Sequence, residues 1–153
     1  MTKLASHGLS VELPRGWEAR VRRRAPHDVR VQTFPVLHLA TFPLPDERDD
    51  FGGNVTSRMR SSDAFVVLFE YGSEAVPQPL FRTHGAPRIT PTMFSPNRLQ
   101  RRRPGQVGCQ LFFQTSQRAF CCYVVAGSRA SVPSIITHVN AMLAGLVVEA
   151  PAP

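Results

Sequence analysis

GCQLFFQTSQRAFCCYVVAGSRASVPSIITHVNAMLAGLVVE, residues 108–149, is the stretch whose spacing decides the fold, and it reads as strand, strand, helix, strand. Cys109 to Thr115 and Arg118 to Val125 are rich in aromatic, aliphatic and thiol side chains, and Ser116-Gln117 between them predicts a β-hairpin. A two- or four-residue loop gives the same register, with Phe113 facing Phe120, Leu111 facing Cys122 and Cys109 facing Val124. Those six belong to one side, which is assigned to the core. The other side, Gln110, Phe112, Gln114, Ala119, Cys121 and Tyr123, is a mixed surface. Ser131-Val132-Pro133 then places a serine to cap a helix and a proline in its first turn. Val132, Ile135, Ile136, Val139, Leu143 and Leu146 form one apolar stripe at helical spacing, with Ser134, Thr137, Ala141 and Ala144 facing water. His138 falls at the margin of the stripe beside Met142. Gly145 is a stop, after which Leu146 to Glu149 returns as a last strand.

Working outward, a chain of 153 residues at 42% hydrophobic composition predicts a single domain, 1–153, with its core over about 8–149. The net charge is +7, carried by 17 arginines and one lysine, Lys3. Basic surfaces attract phosphate and acidic partners, although so strong an arginine bias, with 14 prolines, is also what a GC-rich genome produces. Met1 to Gly8 lacks the apolar core of a targeting segment, and no run approaches the ~20 apolar residues of a membrane span. The expectation is a cytoplasmic location. Three cysteines, two of them adjacent and none in a Cys-x-x-Cys pair, read as free thiols. In the hairpin register Cys109 and Cys122 are diagonal neighbours roughly 7 Å apart, too far for an unstrained bridge.

Taken in order, Leu9 to Leu13 alternates as a strand, Pro14-Arg15-Gly16-Trp17 turns it, and Glu18 to Arg24 returns as a second. So many arginines place that second strand at a sheet edge. Pro26-His27-Asp28 ends it, and Val36 to Phe42 is a further strand. Pro43 to Asn54 is an acidic loop holding Asp46, Glu47, Asp49 and Asp50, whose spacing does not match a calcium loop; it reads as a solvated loop or an intramolecular partner for the arginine face. Val55 to Arg60 forms one helical turn, and Ala64 to Tyr71, apolar on both faces, is a central strand. Gly72 to Gln106 is irregular and proline-rich, with a short helix begun at Ser95-Pro96. The fold class is therefore α+β: a mainly antiparallel sheet packed by one principal C-terminal helix, with a long irregular segment over part of the other face.

Two parts of the chain carry a resemblance. Gly8-Leu9-Ser10-Val11 through Leu13-Pro14-Arg15-Gly16-Trp17 resembles the strand and Pro-x-Gly-Trp turn that open many members of the PsbP-like superfamily. The hairpin ending at Arg118 to Val125, the helix from Ser131 to Gly145 and the strand Leu146-Val147-Val148-Glu149 resemble their close. The match covers about a third of the chain, and the proline-rich middle departs from it. The whole also looks like uncharacterised small proteins of actinobacterial type. The resemblance implies an antiparallel sheet flanked by helices and a non-catalytic accessory or partner-binding role.

No motif assigns catalytic, cofactor-binding or metal-ligating residues: Gly-x-Ser-x-Gly, phosphate-loop, dinucleotide and His-Glu-x-x-His patterns are all missing. Cys109, Cys121, Cys122 and His138 match no zinc spacing, since Cys121 and Cys122 point to opposite faces of one strand. A thiol enzyme would need Cys121 beside His7, His27, His38, His84 or His138. The remaining candidates are arginines. Arg20, Arg22, Arg24, Arg98, Arg101, Arg102 and Arg103 are the expected contacts for a partner or anion, with Arg23 alongside and Trp17 or Phe94 available to stack on bases. No nucleic-acid-binding signature accompanies them. A non-enzymatic domain meeting a protein partner, acidic in character, ranks first; an anion or nucleic-acid binder ranks second and a small thiol enzyme third. The oligomeric state is left open, a homo-oligomer included.

Overall fold

A computed structural model describes residues 2–23, 34–45 and 55–151. Its strands are β1 (Thr2–Ser6), β2 (Leu9–Leu13), β3 (Glu18–Arg23), β4 (Pro35–Ala40), β5 (Ala64–Tyr71), β6 (Val107–Thr115), β7 (Arg118–Ala126) and β8 (Val147–Val148), with one α-helix, α1 (Val132–Ala144). They form two antiparallel sheets, β1-β2-β8 and β3-β4-β5-β7-β6, where a single sheet is the simplest sequence reading. Short 3-10 turns sit at the prolines of the irregular segment, among them Pro79–Phe81, Pro91–Met93 and Pro96–Arg98. The α+β class with a mainly antiparallel sheet is what the structure shows.

The β6–β7 hairpin has the expected register, Phe113 opposite Phe120, Leu111 opposite Cys122 and Cys109 opposite Val124. Its two-residue turn places both Ser116 (φ 52°) and Gln117 (φ 62°) in left-handed conformation, matching the twist of the strands. The rings of Phe113 and Phe120 stack with centroids 5.5 Å apart. On the same face, Leu37, Leu39, Val66, Leu68 and Val124 join Val132, Ile135, Val139, Met142 and Leu143 of α1 and Leu9, Val11 and Leu13 of β2 in one core. The helix stripe is thus as read, except that Ile136 is only half-buried, Leu146 is half-buried beyond the end of α1, and Met142 takes a core position. Between α1 and β4, β5 and β2 the packing leaves an apolar void of about 20 Å3, room for a methyl group and not for an organic ligand.

Four local readings are corrected. β2 and β3 are not a hairpin: Trp17 N–H does bond Pro14 O at 3.2 Å, but β2 pairs with β1 and β8 while β3 pairs with β4, so the turn passes the chain between sheets. The N-terminal residues, given no strand by the sequence reading, supply β1, turned by His7 (φ 54°) and Gly8 (φ 76°). Polar alternation hid it, because an edge strand buries little. Ser131 makes no side-chain cap; Ser128 Oγ accepts the Ser131 N–H one turn earlier, starting a 3-10 turn, Arg129–Ser131, that runs into α1. Finally, the mixed face of the hairpin is buried on β7, where Ala119, Cys121 and Tyr123 lie at 0%, 1% and 2% exposure, while Gln110, Phe112 and Gln114 of β6 are half-buried.

That second face is closed at its two ends, one by residues after β4 together with the irregular segment and the other by the irregular segment alone. Phe42, Leu44, Val55 and Leu99 cover one end over Phe65, Tyr123 and Val125. Ala75 and Phe81 cover the other over Ala119, with Tyr71 and Phe112 beside them. β7 is therefore buried along its whole length. The sandwich has three layers: the small sheet with α1, the five-stranded sheet, and the loops.

An ion pair fastens the layers together. Glu70 and Arg118 both project from the five-stranded sheet toward the small sheet, with Arg118 Nη2 and Nε donating to the Glu70 carboxylate at 2.6 and 2.8 Å. The remaining donors reach His7 O in the β1–β2 turn and Glu149 O after β8, both at 3.2 Å. Glu149 N–H closes the ring on Gly8 O at 2.8 Å. One buried guanidinium thus joins β5, β7, the first turn and the C-terminal strand.

Candidate partner-binding face

Strand order and register decide which arginines share a surface. Cross-strand partners in a flat register project to the same side, so Arg20, His38, Val67, Tyr123 and Gln110 form one row across all five strands on the second face. Arg20 is exposed at the β3 edge of that row. Tyr123 stands three strand spacings away, about 14 Å, and its hydroxyl accepts the Gln100 N–H at 2.8 Å. Burial pushes the Tyr123 phenol up, with the Gln100 hydrogen bond working the other way. The Gln100 contact roots the loop carrying Arg98, Arg101, Arg102 and Arg103 over the same face as Arg20.

The anchoring of that loop follows from small local features. Gly108 has no side chain, and Leu99 fills the space: a Cβ there would lie 2.6 Å from Leu99 Cδ2. Ser95 Oγ accepts Asn97 N–H at 3.1 Å, starting the turn that ends at Arg98 rather than at Arg103. Gln106 Nε2 donates to Thr56 O at 2.8 Å. Arg103 is half-buried and donates its Nε to Thr56 Oγ1 at 3.0 Å, so part of its guanidinium holds the loop in place. Arg98, Arg101 and Arg102 are exposed. Arg22 occupies β3 opposite Val36. Arg24, His27 and the acidic stretch Asp46 to Asp50 lie outside the described residues.

A larger asymmetry surrounds this loop. Residues 75–148 contain eight arginines and neither aspartate nor glutamate; apart from Glu149, every acidic residue precedes Ala75. Arg118 is committed to Glu70, Arg129 to the carbonyls of Pro91 and Phe94 at 3.2 and 2.7 Å, and Arg103 in part to Thr56. The others give the loop side of the molecule a single sign of charge.

The thiols are enclosed. All three cysteines are free and buried. Burial, with a like push from Cys121, raises the Cys109 thiol to about 12, and burial alone raises Cys121 to about 12. Cys122 is pushed up by burial first and by Cys109 and Cys121 after it. Such thiols stay protonated near neutral pH, where the thiolate is the nucleophile. His38 shares the face of Cys121 but stands two strands away, about 10 Å, against Phe65 at 5.6 Å between ring centroids. His138 is exposed beside Trp17 at 6.4 Å. Among the described residues no group of three or more His, Cys, Asp or Glu is placed to hold a metal, and no helix is long and apolar enough to cross a membrane.

Sequence reading found the arginine runs but not the row that puts Arg20 and the Tyr123 anchor of the loop on one side of the sheet, because that row exists only once the order β3-β4-β5-β7-β6 is known. It also missed the Glu70–Arg118 pair. The available signal was weak: Glu70 is the one charge in the apolar strand Ala64 to Tyr71, and Arg118 opens the apolar strand that follows the turn. No family model matches the chain, and no curated protein or solved structure matches it.

Proposed function

We propose that this protein is a non-catalytic binding domain that engages an acidic surface of a partner protein through the face bearing Arg20 and the Arg98–Arg103 loop. The observation that carries the reading is the row from Arg20 to Tyr123, which puts Arg20 and the anchor of the Arg98–Arg103 loop on one side of the sheet. Arginine suits such contacts because its planar fork binds carboxylates in pairs. The accessory role implied by the PsbP-like resemblance points the same way.

The test reverses only the exposed charges. In Arg101→Glu/Arg102→Glu, Arg103 keeps its bond to Thr56, so stability should stay within about 0.5 kcal/mol of the parent, as for ordinary surface changes. Tagged parent and variant are compared in pull-downs from native lysate. Capture of an acidic protein by the parent and its loss in the variant supports the reading, whereas identical capture by both overturns it. Retention of the parent on immobilised DNA or RNA, falling steeply with salt and lost in the variant, would instead assign the face to a nucleic acid.

A further inference from the structure

The outer edge of β6 is interrupted in a particular way. Ser95 N–H bonds Gly108 O at 2.9 Å and Gly108 N–H bonds Ser95 O at 3.1 Å; farther along, Gln114 N–H bonds Thr83 O and Gly85 N–H bonds Gln114 O, each at 2.8 Å. Gly108 and Gln114 therefore direct their backbone groups away from β7. By strand alternation Gln110 and Phe112 do the same. Neither bonds another backbone group outside the sheet ladder among the described residues, and the intervening chain leaves the edge to bury Ile89 and Phe94 against the core. Two N–H and two C=O groups are left facing outward, at positions whose side chains are half-buried.

We infer that this gap in the β6 edge is a docking slot for an extended acidic peptide segment, which adds as a short strand between the Ser95 and His84 bridges. The inference rests on the acidic-partner reading above and states how that partner attaches. Main-chain pairing supplies the contact, and side chains alternating above and below supply the choice of sequence. A guest residue opposite Leu111 shares its side of the sheet, where Leu111 packs on the core, and is apolar. Its neighbours meet the cationic rim: exposed Arg82 precedes Thr83 at one end, and exposed Arg98 follows Ser95 by three residues at the other. No acidic side chain from the surrounding sequence competes for these arginines, since residues 75–148 have none. The two flanking bridges also blunt the edge against sheet-to-sheet aggregation. They leave about 20 Å between Gly108 and Gln114, enough for a guest strand of three to five residues.

The experiment uses the full chain, isotopically labelled, and the capped peptide acetyl-Glu-Glu-Val-Glu-Glu-amide. In the free protein, amide exchange at Gln110 and Phe112 is expected to be at least about 100-fold faster than at Leu111, which bonds β7; equal protection overturns the open edge. Added peptide should slow exchange at Gln110 and Phe112. Two analogues methylated on alternate amide nitrogens, one in each phase, keep the charge and remove one side of the strand's donors. One phase should bind at least about tenfold more weakly, the loss expected from one or two hydrogen bonds, and the other should bind as the parent peptide does. If both phases bind equally and shift only the Arg101–Arg102 loop, strand addition is wrong while the acidic-partner face stands. If the peptide shifts no resonance, both readings fall.

Discussion

Arg118→Met removes a guanidinium whose partner cannot follow it into water. The side chains of Arg118 and Glu70 are 9% and 5% exposed, and their contact is 2.6 Å. Without the cation, the Glu70 carboxylate is left inside the sandwich beside Phe120, and His7 O and Glu149 O each lose a donor. Breaking one side of a buried pair costs about 3–5 kcal/mol, against a total stability of about 5–15 kcal/mol for an ordinary domain. The cost lies in the stranded charge. Arg118→Met/Glu70→Leu deletes both charges and continues the apolar set of β5, and should therefore be more stable than the single variant by at least about 2 kcal/mol. Urea unfolding at pH 7, followed by tryptophan fluorescence from Trp17, reads both; if Arg118→Met fails to fold, recovery of a folded double variant still reports the effect. A loss below about 1 kcal/mol, or a double variant no better than the single, would refute the assignment of this pair as the fastening between the sheets.

Val139→Asp, at a position 1% exposed in the core face of α1, should prevent folding, whereas Thr137→Asp on the solvent side should leave the circular dichroism spectrum and melting nearly unchanged. Gly127→Ala should cost more than about 2 kcal/mol in urea unfolding, because a Cβ would collide with the Arg60 carbonyl, a backbone atom that cannot swing aside. The thiol contribution to stability should be constant below pH 9, the ordinary thiol value, and should fall between there and about 12, with the raised Tyr123 phenol acting in the same direction above 10. The unfolded thiols ionise first and the buried Cys109 and Cys121 resist, so the unfolded state gains up to tenfold per pH unit for each. Urea midpoints from pH 8 to 11 check the sign, and Cys121→Ala should make the decline shallower.

The hairpin and helix were legible because their determinants are local. Phe113, Phe120 and the two-residue turn set a register within a dozen residues, and the Val132 to Leu143 spacing describes one helix without reference to anything else. Misreadings arose where local chemistry permits two answers. Pro14 to Trp17 makes a turn in either topology, and only the pairing of Leu9 with Val148 commits β2 to the other sheet. Gln110, Phe112 and Tyr123 look like a wet surface until Leu99, Phe81 and Phe42 arrive from elsewhere to cover their face. The arginine runs were visible as composition, but the side of the sheet that Arg20 shares with the loop anchor depended on a row of five residues from five strands.

From the sequence alone follow the α+β class, the register of the terminal hairpin, the apolar stripe of α1, the central place of Ala64 to Tyr71 and the exclusion of disulfide and recognised cofactor motifs. Each depends on the period of side chains along a continuous segment, which the backbone geometry of strand or helix imposes within a few residues. The tertiary structure alone decided the division into two sheets, the Glu70–Arg118 fastening, the placing of Arg20 in one row with the Tyr123 anchor of the loop, and the gap at Gln110 and Phe112. These depend on which strands lie side by side, and that order is selected by burial summed over the whole core and not by the chemistry of any one stretch.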